Sequence, residues 1–171
     1  THTVNVLVRH SGKMAGAIAE AAHASFLDIV RLDHFAFKLS IYKAFLDPDA
    51  LAKWLPPHGF TGRVLHLDAR AGGTYRMTFT NFTTGRSESF GGEYLELVPN
   101  ERLVYTDRFE DPNLPGEMRT SVTLRPVSVG TEADIVQAGI PDVIPAEACY
   151  LGWQESLQLL AWLVEAEIPE P

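Results

Sequence analysis

A chain of 171 residues with 46% hydrophobic and 21% charged side chains has the composition of one globular domain able to bury a core. Its net charge of −8, without a basic run longer than two residues, excludes the ordinary kind of phosphate-backbone partner, so no nucleic acid is expected. The single cysteine, Cys149, cannot close an internal disulfide, and a reducing cytoplasm is the simplest setting for it.

In chain order, Val4–Val8 reads as a short strand, and Ala15–Leu32 carries Ile18, Ala22, Phe26, Ile29 and Val30 at the spacing of an amphipathic helix. Met14–Ala24 faintly resembles a secretory leader, but Glu20 and His23 interrupt its apolar run, and it is read as structure. No window of about 18 uninterrupted apolar residues occurs, so no membrane span is expected. Phe35–Leu39 is a further candidate strand. Ile41–Leu46 and Asp47–Leu55 follow as two short helices, the second opened by the cap Asp47-Pro48 and stopped by Pro56-Pro57.

Alternating runs then predict an antiparallel sheet: Gly62–Asp68, Thr74–Asn81, Glu88–Val98, Leu103–Glu110, Arg119–Pro126 and Glu132–Ala138. Turns fall at Gly72-Gly73, Thr84-Gly85, Asp111–Gly116 and Ser128–Gly130, and Gly91-Gly92 predicts a bulge or a bend. From Ala146 to Glu165 the residues Cys149, Trp153, Leu157, Leu160 and Val164 form one helical stripe, opposite Gln154, Glu155 and Gln158. A helix with such a stripe must pack on something, and the sheet face is the surface large enough to receive it. The expected fold is α+β: a curved antiparallel sheet wrapped around a long C-terminal helix, with two short helices in the N-terminal part.

Four blocks carry a family resemblance. They are Phe45-Leu-Asp-Pro48 through Trp54 with Gly59-Phe60; Gly72-Gly73-Thr-Tyr75-Arg76; Gly92-Glu-Tyr94-Leu-Glu96-Leu97-Val-Pro99-Asn-Glu-Arg102-Leu103-Val104-Tyr-Thr106; and Gly152-Trp153 with Leu157 and Leu160. Their order and spacing, over roughly Ile41 to Glu165, resemble the SRPBCC superfamily, also called START-like or helix-grip proteins. Within it the branch is that of heat-shock-protein-90 ATPase activator homologues. Members usually open with one strand directly before the first helix. Here either Val4–Val8 is that strand and residues 10–34 are an atypical helical insertion, or Phe35–Leu39 is the strand and the rest an extension.

Chemistry is sparser than architecture. The histidines His2, His10, His23, His34, His58 and His66 show no metal-pair spacing, so no metal is expected. No phosphate loop, dinucleotide fingerprint or nucleophile elbow occurs, and no cofactor is expected. Cys149 sits on the apolar helical stripe, where a thiol behaves as a small hydrophobe. His58, held by Pro56-Pro57-His58-Gly59, reads as a solvent-facing loop residue. Arg76, Arg108, Arg119 and Glu88 read as exposed cross-strand charges or as polar contacts at a cavity mouth.

The aromatic and methionine set either fills a core or lines a cavity, and the helix-grip resemblance implies an apolar space between sheet and helix. The ligand-lining residues would be Trp54, Phe60, Tyr75, Met77, Phe79, Phe90, Tyr105, Phe109, Met118, Trp153 and Leu157, with Tyr75, Met77 and Phe79 sharing one strand parity. The expected function is binding of a small hydrophobic molecule without dedicated catalytic machinery, with no membrane partner and a homodimer left open. The resemblance also implies two alternatives. One is a polyketide cyclase or aromatase, in which His58, Tyr75, Arg76 and Glu88 would supply the polar groups; the other is a co-chaperone-like interaction domain.

Overall fold

The computed structural model describes residues 2–9, 38–127 and 130–165. The helix expected over Ala15–Leu32, the possible insertion at 10–34, and His10, His23 and His34 lie outside the described residues. Seven strands, β1 (His2–Arg9), β2 (Phe60–Leu67), β3 (Thr74–Asn81), β4 (Ser87–Val98), β5 (Arg102–Phe109), β6 (Met118–Val127) and β7 (Gly130–Ile140), form one sheet in the order β1-β7-β6-β5-β4-β3-β2. All neighbours run antiparallel. From β2 to β7 the order follows the chain, so local hairpin pairing builds the sheet, and only β1 reaches across sequence to close on β7. The strand at Val4–Val8 is thus the first strand of the sheet.

The other candidate first strand is corrected in its described part. Residues 38–44 form helix α1, because Ile41, Ala44 and Phe45 fall three and four residues apart and bury one face, each at most 5% exposed. A short turn then leads into α2 (Pro48–Trp54), whose N-cap Asp47 accepts a hydrogen bond from Ala50 N at 2.9 Å while Pro48 occupies a position that needs no donor. Trp54, fully buried, ties the two helices together: its Nε1–H donates to Ala44 O at 2.9 Å, and its ring stands edge-on to Phe45 at 4.7 Å.

Helix α3 (Ala146–Val164) packs toward β1 and α2 and buries Trp153, Ser156, Leu157 and Leu160. These meet the inward residues of the sheet, among them Met77 on β3, Tyr94 on β4, Leu103 and Tyr105 on β5, Val122 on β6 and Ile135 on β7. The result is an α+β helix-grip fold, a curved antiparallel sheet holding the C-terminal helix, with two short helices ahead of β2. No described helix is long and apolar enough to cross a membrane.

The irregular positions of the sheet differ from expectation in one respect. Gly91 and Gly92 pair in regular register with Arg76 and Tyr75, and the bulge of β4 lies further on, between Tyr94 and Glu96. The glycines serve close approach instead. A Cβ at Gly92 would stand 1.8 Å from Thr106 O, and one at Gly91 would stand 2.3 Å from Tyr75 O, so no side chain fits at either place.

Candidate functional site

Alternation along the strands sends one set of side chains toward α3. On β3 these are Tyr75, Met77 and Phe79; on β4, Glu88, Phe90 and Tyr94; on β5, Tyr105, Asp107 and Phe109. Met118 on β6 and Gln137 on β7 extend the row. Between this floor and α3 lies a cavity of about 330 Å³, roofed by Cys149, Gly152, Trp153 and Ser156 and closed at one end by Phe45, Leu51, Leu55, Pro57 and Phe60.

Nine of the eleven residues named from sequence line this cavity: Phe60, Tyr75, Met77, Phe79, Phe90, Tyr105, Phe109, Met118 and Trp153. Trp54 and Leu157 do not. Trp54 is spent on the α1–α2 junction, and Leu157, 5% exposed, packs in the core behind the wall. Of the polar candidates, Glu88 lines the cavity. His58 does not: its side chain is 52% exposed, its backbone N–H donates to Glu155 Oε2 at 3.0 Å, and its ring lies 3.7 Å from Glu155 Oε1. Arg76 forks onto Glu110 at 2.5 and 2.9 Å, and Arg108 meets Glu117 at 3.1 Å, all on the exposed side of the sheet. Arg119 is exposed. No group of His, Cys, Asp and Glu able to hold a metal occurs among the described residues.

The residue that sequence reasoning missed is Asp107. It is 7% exposed, and Tyr75 reaches across the side-chain-free Gly92 to donate its hydroxyl to Asp107 Oδ1, with Thr106 O at 2.9 Å from the same hydroxyl. Asp107 Oδ2 makes no hydrogen bond among the described residues. Burial raises the carboxyl from 3.8 to about 6, and the bond from Tyr75 offsets only part of that rise. Around it Tyr75, Tyr94 and Tyr105 cluster with ring centroids 5.4 to 6.1 Å apart. Burial first, and the Asp107 charge second, push all three phenols up, so they remain neutral donors.

Gln137 is the second polar group of the interior. Its Oε1 accepts the Trp153 indole N–H at 3.0 Å, which orients the ring over the cavity and leaves Nε2 without a hydrogen bond among the described residues. Ser156 turns its hydroxyl to Leu55 O at 2.7 Å and fastens α3 to the end of α2. Burial raises the Cys149 thiol, which keeps it protonated and poorly nucleophilic. The available signal for Asp107 was parity: Leu103, Tyr105, Asp107 and Phe109 alternate on β5, and an aspartate inside such a run is out of place in a strand unless it faces something polar.

Comparison with known proteins agrees with this geometry. The family model described as Activator of Hsp90 ATPase homolog 1-like protein matches residues 39–165. A crystal structure of a protein from Chromobacterium violaceum is 48% identical, with 96% of this chain and 98% of that one covered and a TM-score of 0.80. A protein from Rhizobium leguminosarum, 20% identical over 97% of both chains, superposes with a TM-score of 0.67. An AHSA1-like protein from Aeromonas hydrophila, 14% identical over 96% of this chain and 92% of that one, gives 0.65. No curated protein matches.

Proposed function

Because the chain belongs to the family of Activator of Hsp90 ATPase homolog 1-like proteins, within the SRPBCC superfamily, we propose that the space between its sheet and α3 is a binding site for a small, largely apolar molecule. The observation that carries this reading is the cavity of about 330 Å³ walled by aromatic rings and methionines. Protein interiors are close-packed, and an apolar void of this size costs stability unless something is gained by it. Its volume falls within the range of pockets that enclose small ligands, which are mostly apolar with a few placed polar groups. Asp107 and Gln137 are those groups here.

Native mass spectrometry of the freshly purified protein, followed by calorimetric titration with small aromatic molecules, tests the reading. The expected result is saturable one-to-one binding that Met118→Trp, which fills the cavity, weakens at least about tenfold, while His58→Ala leaves it unchanged. Binding that is indifferent to Met118→Trp in a folded variant would place the ligand elsewhere and overturn the proposal.

One observation favours a second reading, a cyclase-like enzyme. A carboxyl with its proton affinity set near neutrality, hydrogen-bonded to a phenol and facing the cavity, can accept a proton from a bound molecule and return it. In that reading Asp107 works with Tyr75, one of the four sequence candidates, in the role for which His58, Arg76 and Glu88 were the others. Turnover of a polyketide-like substrate would then disappear in Asp107→Asn and persist in His58→Ala. Binding without turnover leaves the first reading alone.

A further inference from the structure

The polar and charged groups of the cavity are distributed unevenly by sign. Two carboxylates line it, Asp107 in the interior and Glu88 near Phe79 and Phe90, while no Lys, Arg or His belongs to its wall among the described residues. Among the described residues neither carboxylate has a cationic partner: the one side-chain hydrogen bond to Asp107 there comes from neutral Tyr75, and the Glu88 carboxylate makes none. An ionised carboxylate buried without a counter-charge is costly, and a ligand cation would supply what the protein does not.

The rest of the wall suits the same charge. Tyr75, Tyr94, Tyr105, Phe90, Phe109 and Trp153 present ring faces and edges to one space, and aromatic faces attract cations within about 6 Å of the ring centroid. An anionic ligand finds little. The Tyr75 hydroxyl is committed to Asp107, the Tyr94 hydroxyl to Phe45 O, the Trp153 N–H to Gln137 and the Ser156 hydroxyl to Leu55 O, which leaves Gln137 Nε2 and the Tyr105 hydroxyl as the uncommitted N–H and O–H side-chain donors on the wall among the described residues. A carboxylate or phosphate would therefore lose its hydration, gain at most two neutral hydrogen bonds from these groups, and lie in a cavity that already holds two negative groups.

We infer that the cavity selects a lipophilic amine: a small apolar or aromatic skeleton bearing one ammonium group, which Asp107 Oδ2 accepts as an ion pair and the surrounding rings enclose. The inference rests on the binding reading above and specifies its ligand class. Glu88 adds a second negative charge on the approach, and the chain's net charge of −8 favours encounter with a cation.

The test is calorimetric titration of the full chain at neutral pH and low salt with three probes of one skeleton: 4-phenylbutylamine, 4-phenylbutan-1-ol and 4-phenylbutanoate. The amine is expected to bind at least about tenfold more tightly than the alcohol, and the carboxylate more weakly than either. Asp107→Asn keeps the Tyr75 hydrogen bond and should remove about tenfold of the amine affinity while changing that of the alcohol less than about twofold. Glu88→Gln, at a less buried position, should lower amine affinity by a smaller factor, and it provides the comparison if Asp107→Asn does not fold. Saturable binding of all three probes with no preference for the amine, or a preference unchanged in the folded variants, overturns the inference and leaves the binding reading standing. Failure of all three probes to bind overturns both.

Discussion

Asp107 is one carboxyl on which several properties depend. The folded protein holds its proton up to about pH 6, whereas the unfolded chain releases it near 3.8. Between these values the folded state binds more protons, so this group's contribution to stability is fully present below about pH 4 and is lost as pH rises through about 6. The size of the loss is on the order of 2–3 kcal/mol. Asp107→Asn keeps an acceptor for Tyr75 and cannot ionise. Denaturant unfolding of both proteins from pH 4 to pH 7 should show the variant gaining on the wild type by about that amount, and a difference that stays flat with pH would refute a buried, uncompensated carboxylate. Sequence gave little warning of this residue, because the hydrophobic pattern that identifies an inward face treats a polar residue on it as noise. Parity alone could place Asp107 beside Tyr105 and Phe109, and parity cannot say that Tyr75, 32 residues away, crosses over Gly92 to meet it.

The elements were more legible than their irregularities. Thr74–Asn81 has the predicted bounds because its alternation is unbroken and Gly72-Gly73 precedes it. Likewise α2 was readable from Asp47-Pro48, whose capping chemistry is local. Two bulges were not readable. The register shift between Val64 and His66 turns Leu65 outward, 41% exposed, and that between Tyr94 and Glu96 does the same to Leu95, also 41% exposed. Both residues look like core in a pattern of period two, and only cross-strand register reveals otherwise. The glycine before the second bulge carries a sharp prediction. Gly92→Ala forces a methyl group toward Thr106 O, and relief requires β4 and β5 to part, so a loss above about 2 kcal/mol is expected in thermal or denaturant unfolding. A variant as stable as wild type would mean that the strands are not this close. On α3, Trp153→Ala should cost about 3–5 kcal/mol. Trp153→Phe keeps most of the apolar contact and leaves Gln137 Oε1 unpaired, for a loss of about 1–3 kcal/mol. Equal stability of Trp153→Phe and wild type would show that the indole hydrogen bond contributes nothing.

At the scale of the whole molecule, the helix-grip arrangement follows from a sheet with one wet face and a helix with one apolar stripe, and both patterns were visible in the chain. The open volume between them was not. Whether Tyr75, Met77, Phe79 and Trp153 interlock or stand apart depends on how far α3 sits from the sheet. That distance is fixed by contacts from the middle of α3, Ser156 on Leu55 O and Glu155 on the His58 backbone, and by the approach of α3 to β1. Hydrophobic pattern encodes which residues face each other and says nothing about the gap. The central claim is that this gap is a ligand site, and two methionines, Met77 from β3 and Met118 from β6, face into it from separate strands. Methyl-labelled methionine NMR during titration with the phenylbutyl probes tests the claim most directly. The Met77 and Met118 methyl resonances are expected to shift together and saturate at one equivalent, with ring-current displacement from the bound aromatic group. Saturable binding that leaves both methyl resonances unmoved, or no binding of any probe, would contradict it.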